Sequence, residues 1–543
     1  MSALVDIRNL YVSLPDGADR AHAVEDLSMS VNPGEIVCVV GESGSGKSLT
    51  ARALMGLLPE PRVRASAGEI HFEGRDLLAL DREERRLLRG EQLAMIFQEP
   101  MTALNPLQTV GKQIEEVLLV HTRMSRRERR ERVRKLLEEV HLPDPPRIAA
   151  SFPHELSGGQ RQRAMIAMAL ILDPKVLVAD EPTTALDVTT QAQILKLIRE
   201  LQERHNTGVL FITHDFGVVA DIAHKIVVMQ HGRMVEAGPA DQILNRPREP
   251  YTRALIGAIP DLHPRSTGRP ETREVLKVAE LEKTYTRKNF LGPANTVHAA
   301  KQVAFSLNRG ETLGIVGESG SGKSTVARCL VRLMQPDSGA IELDGIDIAG
   351  LSRTALRPHR RRVQMVFQDP YASLNPRRRV GDIIAEGPIT QGARRVEADA
   401  RARELLGLVG LDPSAAERFP HEFSGGQRQR IGIARALAMD PEVLVADEPV
   451  SALDVSVQAQ VLMLLSDIRD RLGLSIVFIT HDLRVAAQVC DTVAVMSKGE
   501  VVEMGPVAEI FTAPKHSYTK ELFSSIPGRD WQVPDLTAAQ GAA

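Results

Sequence analysis

The octapeptide "GESGSGKS" occupies residues 41–48 and recurs unchanged at 317–324. At both places an apolar run precedes it, "EIVCVV" or "ETLGIV", and a stretch typical of a helix follows it. The pattern G-x-x-x-x-G-K-[ST] between a strand and a helix predicts a phosphate-binding loop. Its glycines let backbone N–H groups turn toward phosphate oxygens, and the helix N-terminus adds a favourable dipole. The chain is therefore expected to bind nucleotide phosphates twice on an α/β framework.

Each residue of this phosphate loop has an expected task. Lys47 and Lys323 are expected to contact the β- and γ-phosphates, and Ser48 and Ser324 to hold Mg²⁺. The other loop residues predicted to line the phosphates are Gly41, Ser43, Gly44 and Gly46 in the first copy and Gly317, Ser319, Gly320 and Gly322 in the second. A chance glycine turn is a poor alternative, because a strand and a helix flank the loop in both copies.

The loop is one part of a duplication that runs the length of the chain. Later segments match in pairs: "FQEPMTALNP" with "FQDPYASLNP", "PHELSGGQRQR" with "PHEFSGGQRQR", and "VLVADEPTTALD" with "VLVADEPVSALD". The serine of "SGGQ" precedes the aspartate of "VLVAD" by 23 residues in both halves, 157 to 180 and 424 to 447. Repeats of this length are whole domains, because solenoid repeats run to only about 20–50 residues. We predict a first domain at 1–260, a Pro-containing linker at 261–274 and a second domain at 275–543.

The apolar run "VLVAD" predicts a buried parallel strand that ends on an acidic residue in each half. Open α/β sheets bind ligands at the carboxyl ends of such strands. Asp180 and Asp447 are therefore expected to hold Mg²⁺ through water. The next residues, Glu181 and Glu448, are placed to polarise the attacking water.

Two further polar residues follow predicted strands of the same sheet. Gln98 and Gln368 come after "MIF" and "MVF", where a neutral amide is able to contact Mg²⁺ or water and to sense the γ-phosphate. His214 and His481 close the strands "VLFIT" and "IVFIT". A lone histidine is more often structural, but its position at this sheet edge favours a contact with the γ-phosphate.

The segments "LSGGQRQR" and "FSGGQRQR" decide the family, because an ordinary phosphate-loop enzyme does not need them. Together with the glutamines, "DEP…ALD" and the histidines, they make the chain resemble the ATP-binding-cassette (ABC) ATPases over nearly its whole length. The resemblance implies two tandem P-loop NTPase domains of α/β class. It implies in each a RecA-like core, an antiparallel β subdomain and a helical signature subdomain.

In that family two cassettes pair head to tail around two ATP molecules, so the resemblance implies intramolecular pairing of the two domains. One expected composite site joins Lys47, Ser48, Gln98, Asp180, Glu181 and His214 to Ser424, Gly425 and Gly426. The other joins Lys323, Ser324, Gln368, Asp447, Glu448 and His481 to Ser157, Gly158 and Gly159. Both sets are complete, so we expect two hydrolysing sites.

The two halves differ where such cassettes stack an aromatic ring on adenine. The second half offers Tyr285 in "LEKTYT", whereas the corresponding residue of the first half is Leu14, with Tyr11 three residues earlier. Adenine stacking is therefore expected at the second site, and weaker ATP binding is expected at the first.

Two features resemble the dipeptide, oligopeptide and nickel importer group. Both glutamine segments continue as "FQ[ED]P…LNP", and each half ends in a similar segment, 235–260 and 502–527, here named the C-terminal extension. These extensions contain "EPYT" (249–252) and "HSYT" (516–519). The resemblance implies an ATPase that energises import of dipeptides, oligopeptides or glutathione-like peptides. Nickel or another small solute is the alternative cargo.

Such an ATPase is expected to act with two integral-membrane permease subunits and an extracytoplasmic substrate-binding protein. The longest apolar run, "AMIAMALIL" (164–172), is shorter than the ~20 residues of a membrane helix, and no signal peptide is recognisable. The expected location is therefore peripheral, on the cytoplasmic face of the inner membrane.

Charge and cysteine content argue against other classes. The formal net charge of −3 is not that of a general nucleic-acid binder, and glutamates interleave with the arginines of segment 124–142. The peptide-importer group often carries a cysteine cluster for an iron–sulfur centre near the C-terminus. No cysteine follows Cys490 in this sequence, so no such cluster is expected. A twin-cassette ATPase acting on ribosomes or DNA remains a minor alternative, although the linker is short and lacks a zinc module.

Overall fold

The computed structural model describes residues 3–183, 186–264, 273–287, 295–451 and 453–534. The chain divides into two compact units. Unit 1 extends to Ile259 and also contains the chain from Pro527 onward, whereas unit 2 runs from Pro260 to Ile526. Most of the linker expected at 261–274 lies outside the described residues, and the domain boundaries stay a prediction.

Unit 1 contains two sheets. Its strands are β1 (Val5–Ser13), β2 (His22–Val31), β3 (Ile36–Val40), β4 (Arg64–Phe72), β5 (Arg75–Asp76), β6 (Leu93–Ile96), β7 (Val176–Asp180), β8 (Gly208–Ile212), β9 (Lys225–Gln230) and β10 (Arg233–Pro239). An antiparallel sheet has the order β2-β1-β4-β5. A six-stranded sheet has the order β10-β9-β3-β8-β7-β6, parallel except for the edge pair of β9 and β10.

Helices connect these strands and form a separate group before β7. The helices of unit 1 are α1 (Lys47–Leu54), α2 (Arg82–Glu91), α3 (Pro100–Ala103), α4 (Val110–His121), α5 (Arg126–Glu139), α6 (Pro145–Ala150), α7 (Gly158–Leu170), α8 (Val188–His205), α9 (Phe216–Ile222), α10 (Ala240–Asn245) and α11 (Pro250–Gly257). Helices α4 to α7 pack on one another and form the helical subdomain.

Unit 2 repeats this plan. Its strands are β11 (Glu274–Arg287), β12 (Asn295–Asn308), β13 (Thr312–Val316), β14 (Ser338–Leu343), β15 (Ile346–Asp347), β16 (Val363–Val366), β17 (Val443–Asp447), β18 (Ser475–Thr480), β19 (Thr492–Ser497) and β20 (Glu500–Pro506). Its helices are α12 (Lys323–Leu330), α13 (Arg353–Leu356), α14 (Pro370–Ser373), α15 (Val380–Thr390), α16 (Arg395–Leu408), α17 (Gly425–Leu437), α18 (Val455–Leu472), α19 (Leu483–Val489), α20 (Val507–Thr512) and α21 (Ser517–Ser524). The sheet orders are β12-β11-β14-β15 and β16-β17-β18-β13-β19-β20, so the predicted α/β architecture is confirmed in both halves.

The central strands are buried on both faces, which explains their continuous apolar sequences. In β3, Ile36, Cys38 and Val40 pack into one core. The alternate residues Val37 and Val39 pack into the other. Full burial of one such aliphatic side chain contributes roughly 1.5–3 kcal/mol to folding. The position of the phosphate loop that follows β3 is fixed by this packing.

The arginine-rich segment forms α5, and arginines of this helix form ion pairs with neighbouring glutamates. Ser125 caps the helix by accepting from the N–H of Glu128, whose carboxylate in turn accepts from the N–H of Ser125. Arg134 forms ion pairs with Glu131 and Glu138 on the same helix. These pairings favour a solvated face of the helical subdomain over a nucleic-acid surface. Within the part of the chain that the structure describes, every helix is too short or too polar for a membrane span.

The segment 527–534 packs on α9 and α10 of unit 1. Asp221 accepts a hydrogen bond from the N–H of Gly528 at 3.0 Å, and the indole N–H of Trp531 donates to Asn245 Oδ1 at 3.2 Å. The matching helix of unit 2, α19, makes a similar contact: Gln488 donates to the carbonyl oxygens of Asp261 and His263. Each unit thus contains a short segment that follows the other half's C-terminal extension.

The packing on α9 depends on Gly217. A methyl group there would lie 2.6 Å from the carbonyl oxygen of Pro527, so Gly217→Ala is expected to displace the segment 527–534. Trp531 is the one tryptophan of the sequence, so its fluorescence reports this segment. We expect its emission maximum to move to longer wavelength, because the indole becomes more exposed to water.

The matched control is Gly407→Ala, because a methyl group at Gly407 meets no atom within 4 Å. Its emission should equal that of the parent chain. An unchanged Trp531 spectrum in a folded Gly217→Ala chain would contradict the described packing.

Candidate nucleotide-binding sites

The phosphate loop of unit 1 joins β3 to α1 in a conformation that requires glycine. Gly41 has φ +148° and Gly46, the N-cap of α1, has φ +102°. A Cβ atom at Gly41 would collide with the carbonyl oxygen of Met229, and one at Gly46 with the carbonyl oxygen of Ala23. The second loop repeats these φ values, at +152° for Gly317 and +106° for Gly322. The glycine pattern in the sequence is therefore a consequence of backbone geometry.

Each phosphate-loop lysine is buried and held by its own loop. Lys47 Nζ donates to the carbonyl oxygens of Gly41 and Glu42 at 2.7 and 2.9 Å. Lys323 Nζ donates to the corresponding oxygens of Gly317 and Glu318, both at 2.7 Å. An ammonium group fixed within a glycine loop favours an anionic ligand such as phosphate.

A serine and an aspartate meet next to each loop. Ser48 Oγ donates to Asp180 Oδ1 at 2.8 Å, and Ser324 Oγ donates to Asp447 Oδ1 at 3.1 Å. Burial raises the pKa of both aspartates, while the serine hydrogen bonds oppose the rise. A hard cation at these oxygens would stabilise the buried charge, so the donor set fits a divalent cation that prefers oxygen ligands.

The glutamate after each aspartate lies between the predicted glutamine and histidine. In unit 1, Gln98 Nε2 donates to Glu181 Oε2 at 2.9 Å, and His214 Nδ1 lies 3.5 Å from Glu181 Oε1. In unit 2 the distances are 2.7 Å from Gln368 to Glu448 and 3.2 Å from His481 to Glu448. Each unit therefore joins the glutamine, glutamate and histidine, which the sequence predicted separately, in one cluster that follows directly on the aspartate.

In unit 2, Glu448 and His481 each favour the charged form of the other. Burial alone would favour the neutral form of both groups, but their mutual hydrogen bond and attraction outweigh it. The pKa of Glu448 is lowered and the pKa of His481 is raised. The pair loses charge on His481 as the pH rises through its raised pKa, and on Glu448 as the pH falls through its lowered pKa. Near neutral pH, Glu448 is a carboxylate able to accept a proton.

The signature residues begin a helix in each unit. Ser157 Oγ accepts from the N–H of Gln160, and Gln160 Oε1 accepts from the N–H of Ser157, which makes a capping box at the start of α7. Ser424 and Gln427 make the same box at the start of α17. Gly158, Gly159, Gly425 and Gly426 form the first turns of these helices. The serine hydroxyl and the first N–H groups of a long helix form a surface that favours an anion.

Sheet register supports the expected difference in adenine contacts. Ile7 pairs with Ile70 in β4, as Val278 pairs with Ile341 in β14, and counting from these pairs makes Leu14 the counterpart of Tyr285. Tyr285 is 41% exposed, whereas Leu14 packs partly against the core. Tyr11 lies edge-on to His22. Adenine stacking at Tyr285 stays a prediction.

Sequence reasoning missed one residue at each phosphate loop. The hydroxyl of Tyr251 accepts from the N–H of Glu42, and the hydroxyl of Tyr518 accepts from the N–H of Glu318, both at 3.2 Å. The signal was present as the repeated "YT" of the C-terminal extensions, but the sequence alone does not show which segment it contacts. Within the described ranges, no group of three or more His, Cys, Asp and Glu side chains is arranged to hold a metal ion. The expected lack of an iron–sulfur cluster stays a prediction.

Comparison with known proteins agrees with this geometry. The family model "ABC transporter" matches residues 24–184 and 300–451, and "Oligopeptide/dipeptide transporter, C-terminal region" matches 235–286 and 502–542. The chain belongs to the ABC transporter family and is an ATP-binding subunit of its peptide-import class, an ATPase coupled to import. The predicted family and enzyme class are confirmed.

Curated relatives match nearly the whole chain. The chain is 45% identical to the glutathione import ATP-binding protein GsiA of Pectobacterium atrosepticum, over 97% of this chain and 90% of that protein. It is also 45% identical to the protein of the same name from Escherichia coli strain K12, over 96% of this chain and 89% of the relative. The two halves of the chain, each with one ABC transporter match and one C-terminal extension, are called the first and second cassette below.

The matched geometry of the two clusters predicts equal contributions to catalysis. Glu181→Gln and Glu448→Gln each remove one carboxylate while keeping its shape, and each should slow its own site by roughly 10²-fold or more. We expect the two single variants to keep equal residual ATPase rates and the double variant to lose nearly all activity.

The measurement is steady-state phosphate release by the full chain. Glu203→Gln, an exposed position on α8, is the matched control and should keep the parent rate. Strongly unequal residual rates of the two single variants would show that the sites are not equivalent.

Proposed function

We propose that this chain is the Mg²⁺-dependent ATPase of an importer for glutathione or chemically similar short peptides. One observation carries the proposal: its similarity to glutathione import ATP-binding proteins spans 97% of the chain and thus both cassettes. The C-terminal extension of each cassette also matches the oligopeptide/dipeptide transporter region.

The oxygen atoms beside each phosphate loop support the Mg²⁺ requirement. Ser48 and Asp180 in the first cassette, and Ser324 and Asp447 in the second, would hold the ion. Gln98 and Gln368 lie at the same sheet edge and would complete the set. When bound, Mg²⁺ neutralises negative charge on the phosphate oxygens.

The chain's own residues have separable tasks in hydrolysis. Lys47 binds and orients the β- and γ-phosphates, and Glu181 orients the attacking water and accepts its proton at a carboxylate oxygen. Gln98 and His214 fix the two oxygens of that carboxylate from opposite sides. In the second cassette, the same tasks would fall to Lys323, Glu448, Gln368 and His481.

We further propose that the two cassettes, bounded at 1–260 and 275–543, pair head to tail. The motifs and the family resemblance support this arrangement: Ser424 would then complete the site of Lys47, and Ser157 would complete the site of Lys323. Binding of ATP would favour the paired state and hydrolysis would release it.

Partners and location follow from the proposed task. The chain would energise two integral-membrane permease subunits that receive cargo from an extracytoplasmic substrate-binding protein. It would lie peripherally on the cytoplasmic face of the inner membrane. Family membership and the lack of a membrane-spanning helix among the described residues are compatible with this location.

The test is ATP hydrolysis by the complex of this chain with its permease subunits and binding protein in lipid. We expect glutathione to stimulate hydrolysis and an α-linked Glu-Cys-Gly tripeptide, the matched control ligand, to stimulate it less. The Glu181→Gln/Glu448→Gln double variant should show no stimulation.

Other outcomes would change the proposal. Equal stimulation by di- and tripeptides would indicate a general peptide importer, and stimulation by nickel alone would indicate a metal importer. Full activity of the lone chain with no response to any cargo would favour a twin-cassette ATPase acting on ribosomes or DNA.

A further inference from the structure

The tyrosines of the two C-terminal extensions reach the phosphate loops of their own cassettes. Tyr251 lies on α11 and Tyr518 on α21, far along the chain from the loops that they contact. Each phenol oxygen accepts a hydrogen bond at 3.2 Å from the N–H of the second loop residue, Glu42 or Glu318. The contact occurs in both cassettes with the same atoms and the same length.

The N–H that each tyrosine binds belongs to a peptide that also binds the phosphate-loop lysine. The peptide between Gly41 and Glu42 has its N–H on Tyr251 and its carbonyl oxygen on Lys47 Nζ, at 2.7 Å. The peptide between Gly317 and Glu318 is held in the same way by Tyr518 and Lys323. A peptide unit is planar, so holding its N–H also fixes the direction of its carbonyl oxygen.

This peptide follows a glycine whose backbone conformation is unusual. Gly41 has φ +148°, a conformation that glycine alone adopts readily. A hydrogen bond from the N–H to a fixed hydroxyl stabilises one orientation of the plane. Loss of that acceptor would remove one of the hydrogen bonds that hold the peptide plane, which favours its rearrangement.

The tyrosines are themselves held firmly by the extensions. Glu236 accepts from the N–H groups of Arg248 and Glu249 just before α11. Glu503 accepts from those of Lys515 and His516 just before α21. The residues that follow the tyrosines, Thr252 and Thr519, are fully buried. These contacts hold the start of α11 and α21 and so position the tyrosine hydroxyl at the phosphate loop.

We propose that Tyr251 and Tyr518 are positioning residues of the two ATP sites, each of which fixes the peptide that anchors the phosphate-loop lysine. Through this peptide the C-terminal extension sets the affinity of its cassette for ATP. Residues outside the cassette motifs would thus influence ATP binding. This role rests on the ATPase function but not on which cargo is imported.

The test uses the full chain with Tyr251→Phe, Tyr518→Phe and both together. Phenylalanine keeps the ring and removes only the accepting oxygen. We expect the Kd for ATP at the altered site to rise roughly 2- to 12-fold, the factor that one ordinary hydrogen bond gives. KM for ATP should rise in the same proportion, while kcat stays within about twofold, because the Glu181 and Glu448 clusters are untouched.

Binding is measured by calorimetric titration with Mg²⁺–ATP on chains that carry Glu181→Gln and Glu448→Gln, so that hydrolysis does not interfere. Tyr371→Phe is the matched control, because Tyr371 is 65% exposed on the second cassette and phenylalanine keeps the ring that Arg428 contacts. This control should leave the Kd for ATP unchanged.

These measurements distinguish a failure of the tyrosine proposal from a failure of the ATPase function. A lowered Tm with unchanged Kd and KM for ATP in the double tyrosine variant would give the hydroxyls a purely structural role and overturn the proposal. Failure of the parent chain to bind ATP would instead overturn the ATPase function on which the proposal rests.

Discussion

The convergence of parallel strands at one sheet edge is the constraint on which both sites depend. In the first cassette, β7 is buried along its whole length and pairs with β6 and β8, so its last residue, Asp180, has one position available. The same edge receives the phosphate loop after β3, Gln98 after β6 and His214 after β8. The strands are held in place by burial on both faces. The side chains at their ends are therefore positioned by the sheet itself and not by a long loop.

The second cassette has the same arrangement, and its distances are close to those of the first. The serine–aspartate distance is 2.8 Å in the first cassette and 3.1 Å in the second, and the glutamine–glutamate distances are 2.9 and 2.7 Å. The two cassettes differ away from these side chains. For example, the first has Leu14 where the second has Tyr285. The two cassettes therefore keep the same side chains beside the phosphate loop and differ at the position where adenine stacking is predicted. We therefore predict equal chemistry at the two sites and weaker ATP binding at the first.

The sequence predicted the polar residues of this sheet edge because each lies directly after a recognisable strand or in a glycine loop. It assigned Glu181, Gln98 and His214 singly but did not predict that the carboxylate would lie between the amide and the imidazole. It also missed Tyr251, because a contact across more than 200 residues leaves no local pattern. The packing of Gly528 on Asp221 was missed for the same reason: short irregular segments carry no periodicity that predicts their partners.

The number of ATP molecules held by each chain tests the central claim most directly. Equilibrium binding is measured on the full chain with Glu181→Gln and Glu448→Gln, which keep ATP intact. Two ATP molecules per chain are predicted, falling to one with Lys47→Ala, to one with Lys323→Ala and to none with both. A single ATP in the parent chain, or two in either lysine variant, would contradict the account of two complete sites.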